Sequence, residues 1–278
     1  MITVHGLAYY PVKGCAGTAV DSARVLGTGL EHDRTFMVVD AADGAFRSQR
    51  THPAMAAVQV EVLDGGAALA LSAERAGALR LEVDRDGPRR EVSMFGNPLG
   101  KAVDQGDAVA EWLSDALGAT SRLVRVAPGF DRDGWGDTPG KVNFADAHAV
   151  LVASTASLDH LNARITARGD ADPVPMDRFR PNIVLTGDDT PHFEDRVRRM
   201  AVGDAELAHS VRATRCAVPM VDQSTGRRAG PEPIRTLSAY RREPEYGNKV
   251  SFGAKNAVVR EGVLRVGDTV EVAEWLSP

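Results

Sequence analysis

Cysteine is scarce in this chain: only Cys15 and Cys216 occur in 278 residues. Two thiols separated by most of the sequence make no disulfide framework, and they cannot supply the clustered ligands of a zinc or iron–sulfur site. The seven histidines include no His-x-x-x-His pair, the spacing that sets two imidazoles on one helix face. No Gly-x-Gly-x-x-Gly fingerprint follows a strand-like run, so nothing marks a nicotinamide site. Basic runs are missing and the net charge is −5, which argues against nucleic acid as a partner. No stretch approaches the ~18 uninterrupted apolar residues of a membrane span. The opening MITVHGLAYYPVKG lacks the charged-then-apolar layout of a signal peptide. The expectation is a cytoplasmic protein in a reducing compartment. Internal repeats and low-complexity linkers are also missing, and the length suits one large domain or two modest ones.

What is present is mostly strand-like. Residues 1–12 read as a strand ending at Pro11, which cannot donate to a ladder. Asp21 to Gly27 forms another. The runs 34–40 and 45–49 flank Ala42-Asp43-Gly44, a hairpin signal. Residues 58–62 alternate strictly, turn at Asp64-Gly65-Gly66 and return over 67–73, and 79–84 and 91–94 complete a small antiparallel region. Asp107 can cap a helix that presents Val109, Trp112, Leu113, Ala116 and Leu117 on one face and stops at Gly118. Strands follow over 121–126 and 147–153, separated by a glycine-rich loop over 127–141, long enough to suggest binding or mobility. Ser154 begins a second helix with Leu158, Leu161 and Ile165 facing inward. Strands at 183–186, 200–202 and 205–212, a short helix over 233–240 and a closing hairpin over 256–272 complete the chain. Many short strands, few helices and no βαβ repeat predict a mostly β, α+β fold with a barrel-like core decorated by helices. The helix stop at Gly118 suggests a division near residue 120.

Cys216 draws the chemistry. Arg212 and Arg215 lie four and one positions before it and Pro219 three after. Fixed guanidinium charge favours a thiolate, the form that a soft metal or an electrophile requires. A free cysteine can equally fill the end of a strand as a small apolar residue. Arg34 and Lys13 could bind an anion or be solvated charges, and Gly14 would admit close approach to the backbone. Ser154 could cap its helix or contact a ligand. Asn182, after Pro181, could bond its own turn. Cys15, beside a turn glycine, reads as a small buried residue.

Three segments in this order, Tyr10-Pro11-Val12-Lys13-Gly14-Cys15, Arg178-Phe179-Arg180-Pro181-Asn182-Ile183-Val184-Leu185 and Thr214-Arg215-Cys216 with Val221-Asp222-Gln223-Ser224-Thr225-Gly226, resemble the MOSC family of molybdenum-cofactor domains. The likeness runs from about Thr3 to Val272. It is to the two-part members, which join an N-terminal MOSC β-region to a MOSC domain and include the mitochondrial amidoxime-reducing component and bacterial relatives. The resemblance implies a MOSC-type β-barrel over 121–278 packed against an antiparallel β-region over 1–120, with a molybdenum cofactor (molybdopterin) where they meet. It implies Cys216 as catalytic thiolate and metal ligand, and Lys13, Gly14, Arg34, Ser154, Arg180, Asn182, Thr214 and Arg215 as cofactor contacts. The family often has serine where this chain has Gly14, so that hydroxyl is missing from the expected set.

The function implied is reduction of small N-hydroxylated compounds to amines or amidines. Some bacterial relatives carry a ferredoxin-like extension with clustered cysteines. These 278 residues have none, so the expected electron donor is a separate protein of ferredoxin or cytochrome b5 type, with no membrane partner. The alternative is a sulfur-carrying or cofactor-delivery protein with a Cys216 persulfide, as the sulfurase MOSC domain suggests. A third possibility is a cofactor-free β domain that binds some anion or protein.

Overall fold

The computed structural model describes residues 1–276, and its element order is that of an α+β protein dominated by strands. Its largest sheet has nine strands. Its path runs Val270–Trp275, Val197–Val202, Ala205–Arg215, Lys249–Arg260, Val150–Ser154, Ile183–Thr186, Thr3–Tyr9 and Thr18–Val20, with Arg242–Glu243 paired beside Lys249–Arg260. A five-stranded sheet runs Arg89–Met94, Asn97–Asp104, Ser121–Arg125, Phe36–Asp40 and Val12–Lys13. The two sheets trade segments: the first strand of the chain belongs to the large sheet, and the next, Val12–Lys13, to the smaller one.

The alternating run 59–63 and its partners form the expected meander, Gln59–Leu63, Ala68–Ala73 and Gly77–Glu82. Its apolar residues Val60, Leu69 and Leu71 pack against Val109, Trp112 and Leu113 of the Asp107–Leu117 helix. That helix ends at Gly118 in the left-handed conformation, as expected. Its N-cap is Gly106 without a side-chain bond, and Asp107 instead takes the first helical position. In the second helix, Thr155–Arg168, Leu161 and Ile165 are buried against Phe179 and Phe252.

Two expectations need correction, and one strand was not anticipated. The large sheet does not close into a barrel: Ile2–Val4 and residues 267–270 exchange backbone bonds around one isolated bridge, Thr3↔Thr269, rather than a ladder. The end of the chain is no hairpin. Gly262–Arg265 pairs with Ser22–Leu26, while Val270–Trp275 pairs with Val197–Val202. Sequential strands usually pair, but here the edges with matching apolar faces lie elsewhere in the chain. Finally, Asn97–Asp104 is an eight-residue strand, unexpected because Pro98 and Gly100 punctuate it; it accommodates both beside a register shift.

The long loop before residue 147 is tied down. Trp135 N–H donates to the Ala147 carbonyl at 2.7 Å and Asp137 N–H to that of Ser210 at 2.8 Å. The Arg132 guanidinium bonds the carbonyls of Asn143, Ala145 and Asp146. This lays residues 145–149 along the junction of the two large sheets. Among the described residues, no helix is long and apolar enough to cross a membrane.

At the centre of the large sheet, Gly253 has φ +75°, and a Cβ there would stand 2.5 Å from the Val152 carbonyl oxygen. It also follows Phe252, whose carbonyl anchors a site arginine. Gly253→Ala should therefore destabilise the protein by about 2 kcal/mol or more, from clash and left-handed strain together. An unchanged urea midpoint would contradict that.

Candidate active site

One cleft of about 860 Å³, solvent mouth included, lies where the sheets meet. One wall comes from the smaller sheet: Lys13 and Gly14 at the end of Val12–Lys13, and Phe46, Gln49, Arg50 and Phe95 beyond it. The other comes from the large sheet: Thr214 and Arg215 end the Ala205–Arg215 strand, Lys255 stands on Lys249–Arg260, and Arg180 and Asn182 precede Ile183–Thr186. Cys216 follows directly after Arg215 and its side chain is exposed. A thiol at the end of an eleven-residue strand is rigidly placed, because the strand's ladder fixes the backbone up to the residue before it.

The charge of this cleft opposes that of the whole chain. Among the described residues, its lining holds seven cationic side chains, those of Lys13, Arg34, Arg50, Arg178, Arg180, Arg215 and Lys255, against one carboxylate, Asp146. Each buried guanidinium is fixed by named partners. Arg34 forms a two-bond contact with Asp33, at 2.8 and 2.6 Å, and donates to Asn182 Oδ1 at 3.0 Å. Arg180 donates to the Cys15 carbonyl at 2.6 Å and to Gln223 Oε1 at 3.0 Å. Arg215 bonds the carbonyls of Phe252 and Phe179. The Tyr10 ring stacks with both Arg34 and Arg180, whose guanidinium carbons lie 4.3 and 4.2 Å from its centroid. The Gln49 and Gln223 amides bond each other, and Gln49 donates to the Gly14 carbonyl at 2.7 Å. The turn after Lys13 is thereby tied to the segment after Cys216.

Crowding and burial shift these groups. Burial pushes the Lys255 ammonium down to about 8, an effect that Arg215 and Lys13 reinforce and Asp146 opposes. Burial lowers Lys13 as well, although it is ion-paired with Asp146. Burial brings Arg215 down to about 10. Asp146 is held well below the carboxylate range: its desolvation is outweighed by Lys13 and Lys255. Its side chain, 56% exposed, faces the cleft it lines. Cys15, by contrast, is buried and its thiol is pushed up to about 12, so it stays protonated. That makes it a packing residue.

Of the anticipated site residues, Cys216, Lys13, Gly14, Arg34, Arg180, Asn182, Thr214 and Arg215 all line the cleft. Asn182 does so as a clamp: its amide oxygen accepts from Arg34 and from the Leu151 N–H, and its amide donates to the Ala8 carbonyl. The one departure is Ser154. It is fully buried, its Oγ accepts from the Ser157 N–H as a helix cap and donates to Glu194 Oε2 at 2.7 Å, and it is not among the lining residues. Its position inside the sheet, rather than its residue type, keeps it out of the cleft lining. Sequence reasoning missed Asp146, Lys255, Gln49, Phe46 and Phe95. Lys13 and Asp146 are 133 positions apart, and no local pattern announces such a pairing.

The donor set limits what could bind. Among the described residues, no three His, Cys, Asp or Glu side chains are grouped so as to hold a metal ion. A metal at Cys216 would therefore have to arrive with most of its ligands already supplied by an organic chelator. The cations and the Gln49–Gln223 pair suit the anionic and polar parts of such a molecule. The residues fit a pterin-type cofactor that brings its own sulfur ligands and a phosphate.

Comparison with known proteins agrees in both halves. Residues 1–120 match the MOSC N-terminal beta barrel domain, and residues 139–271 match the MOSC domain. Mitochondrial amidoxime-reducing component 1 of Mus musculus is 30% identical over 96% of this chain and 81% of its own length. The Homo sapiens protein of the same name is 29% identical, over 96% and 82%. Molybdenum cofactor sulfurase of Oryza sativa subsp. japonica is 29% identical over 91% of this chain, which spans 32% of that protein.

Ser154→Ala should cost about 1–2 kcal/mol, because it removes a cap and one of the bonds to a buried carboxylate. Sulfate binding in the cleft, measured by calorimetry, should be unchanged. Loss of sulfate binding at unchanged stability would return Ser154 to the site.

Proposed function

Because this chain belongs to the family that joins a MOSC N-terminal β-barrel domain to a MOSC domain, we propose that it is a molybdenum-cofactor-dependent oxidoreductase reducing N-hydroxylated compounds. The observation that carries this reading is the exposed Cys216 thiol in a cleft lined by seven cations and one carboxylate. The reaction is R–NH–OH + 2 e⁻ + 2 H⁺ → R–NH2 + H2O, or the corresponding amidine from an amidoxime. When bound, the cofactor supplies a two-electron centre at which the N–O bond is cleaved.

The chain's own residues have separable tasks. Cys216 is the thiolate that ligates the metal, and Arg215 beside it keeps positive charge next to that sulfur. Arg34 and Arg180 hold anionic and polar parts of the cofactor with guanidiniums already locked by Asp33, Asn182 and Gln223. Gly14, with φ +86°, lets the backbone turn away after Lys13. Lys255, its proton held loosely at a pKa of about 8, can give up a proton from Nζ in the cleft near neutral pH. Electrons come from a separate redox protein, since no cysteine cluster or nucleotide-binding fingerprint is present in the sequence.

The sulfurase likeness favours a second reading, a sulfur carrier or cofactor-delivery protein with a persulfide on the exposed Cys216. Metal and pterin analysis of protein made in a cofactor-competent host tests for the cofactor. Turnover of an amidoxime with reduced viologen then separates reductase from carrier. Cofactor without turnover would overturn the reductase.

Cys216→Ser should leave the fold intact and abolish turnover, because a hard alkoxide-type ligand does not replace thiolate at a soft site. Full activity in that variant would refute the ligand assignment. A second expectation concerns pH. Lys255 is charged below about 8 and neutral above it, so affinity for an anion should fall as pH rises through that value. Sulfate keeps a constant charge over this range, so an inflection in calorimetric titration of cofactor-free protein from pH 7 to 9 comes from the protein, and a Lys255 variant isolates the lysine's share. Lys255→Met should bind sulfate more weakly at pH 7 and lose the inflection, and an inflection that persists would assign it to another group.

A further inference from the structure

Phe95 is out of place both as a turn residue and as a surface residue. It and Gly96 are the two central residues between Arg89–Met94 and Asn97–Asp104, where Met94 pairs with Asn97. Both have positive φ, 56° and 81°, as a type I′ hairpin turn requires. Asn or Gly is the usual first residue of such a turn, and a bulky side chain there carries backbone strain. The ring is not compensated by burial, since Phe95 is 51% exposed. Strain and exposure together mean that neither turn stability nor core packing accounts for it.

Its surroundings do. Phe95 and Phe46 meet edge to face, with centroids 5.8 Å apart and planes at 90°. Arg50 lies 4.8 Å from the Phe95 centroid, and Lys13 Nζ 5.0 Å from that of Phe46. Both rings line the cleft that Cys216 also lines. The third ring of the lining, Phe179, is 1% exposed and stacked on Phe252 at 3.8 Å, so it has no face to offer. The Phe46–Phe95 corner is thus the aromatic surface available to a ligand in an otherwise strongly cationic cleft. A perpendicular ring pair accepts a flat guest, which stacks on one ring and meets the edge of the other.

We propose that Phe95, supported by Phe46, is a specificity-determining residue that favours N-hydroxylated compounds conjugated to a flat ring over small aliphatic ones. The proposal rests on the reductase reading above, and the test separates the two. Phe95→Asn installs Asn-Gly, the preferred pair for this turn, so the variant should melt at or above the wild-type temperature. With the holoenzyme and reduced methyl viologen as donor, KM for benzamidoxime should rise roughly three- to tenfold, the worth of one aromatic contact. Its kcat should stay within about twofold, and KM for acetamidoxime should not change. Phe95→Trp should restore the benzamidoxime KM. In saturation-transfer NMR on unreduced protein, the benzamidoxime ring signal should likewise weaken in Phe95→Asn while that of acetamidoxime stays the same.

Equal changes for both substrates, or none, would overturn the proposal. So would a loss seen only when a protein replaces the viologen, which would make Phe95 part of a donor-docking surface. If wild type reduces neither substrate, the reductase reading fails. The NMR comparison then decides Phe95 alone: a benzamidoxime signal that is strong in wild type and weak in Phe95→Asn supports it, and equal signals in the two proteins overturn it.

Discussion

Positive charge removed from water must be held by something, and what holds it here decides the character of the cleft. A carboxylate partner would neutralise an arginine as well as position it. Arg180 and Arg215 are instead gripped by neutral acceptors: the carbonyls of Cys15, Phe179 and Phe252 and the amide oxygen of Gln223. Such bonds fix direction without cancelling charge, so the guanidiniums keep their full field. Arg34 and Arg178 are the exceptions: Arg34 is paired with Asp33, which is itself buried and bonded to the Tyr10 N–H, and Arg178 with Asp222 at 3.3 Å. The cost is desolvation, visible in the depressed Lys255 and Lys13 ammonium groups. An anion in the cleft would relieve it.

This arrangement depends on the two sheets together. Lys13 belongs to one and its carboxylate partner Asp146 to the segment laid along the other. The Gln49–Gln223 amide pair bridges positions 174 apart in sequence. Arg180, just ahead of the interior strand Ile183–Thr186 of the large sheet, reaches the carbonyl of Cys15, beside the smaller one. Neither sheet alone contains a site.

What could be read from sequence followed the reach of each signal. The meander over 59–82 and the helix 107–117 were legible because alternation, apolar spacing and a terminal glycine are local. Three short motifs sufficed to bring Lys13, Arg180, Arg215 and Cys216 into one expected site, with Arg34 added by the family resemblance, and all line the cleft. Ser154 was ambiguous because a serine before a helix reads the same whether it caps or contacts a ligand, and only its burial against Glu194 distinguishes them. Asp146, Lys255 and Phe95 were silent. An aspartate in a loop, a lysine in a strand and a phenylalanine before a glycine carry no pattern until the fold sets them around one space. Strand partners were similarly hidden, since pairing is chosen by edges and faces far apart in the chain.

The position of the Thr3–Tyr9 strand has a consequence for how the molecule is made. It pairs on one side with Thr18–Val20 and on the other with Ile183–Thr186, with Thr3 opposite Thr186. On a ribosome adding roughly 5–20 residues per second, about 10 to 35 s separate synthesis of the two strands. Throughout that interval an apolar strand with Val4 and Leu7 has one edge without its partner, a state that invites pairing with other chains. Nascent chains should thus be most dependent on chaperones before residue 186 emerges, and truncation ahead of that point should yield protein prone to aggregate rather than a soluble N-terminal half.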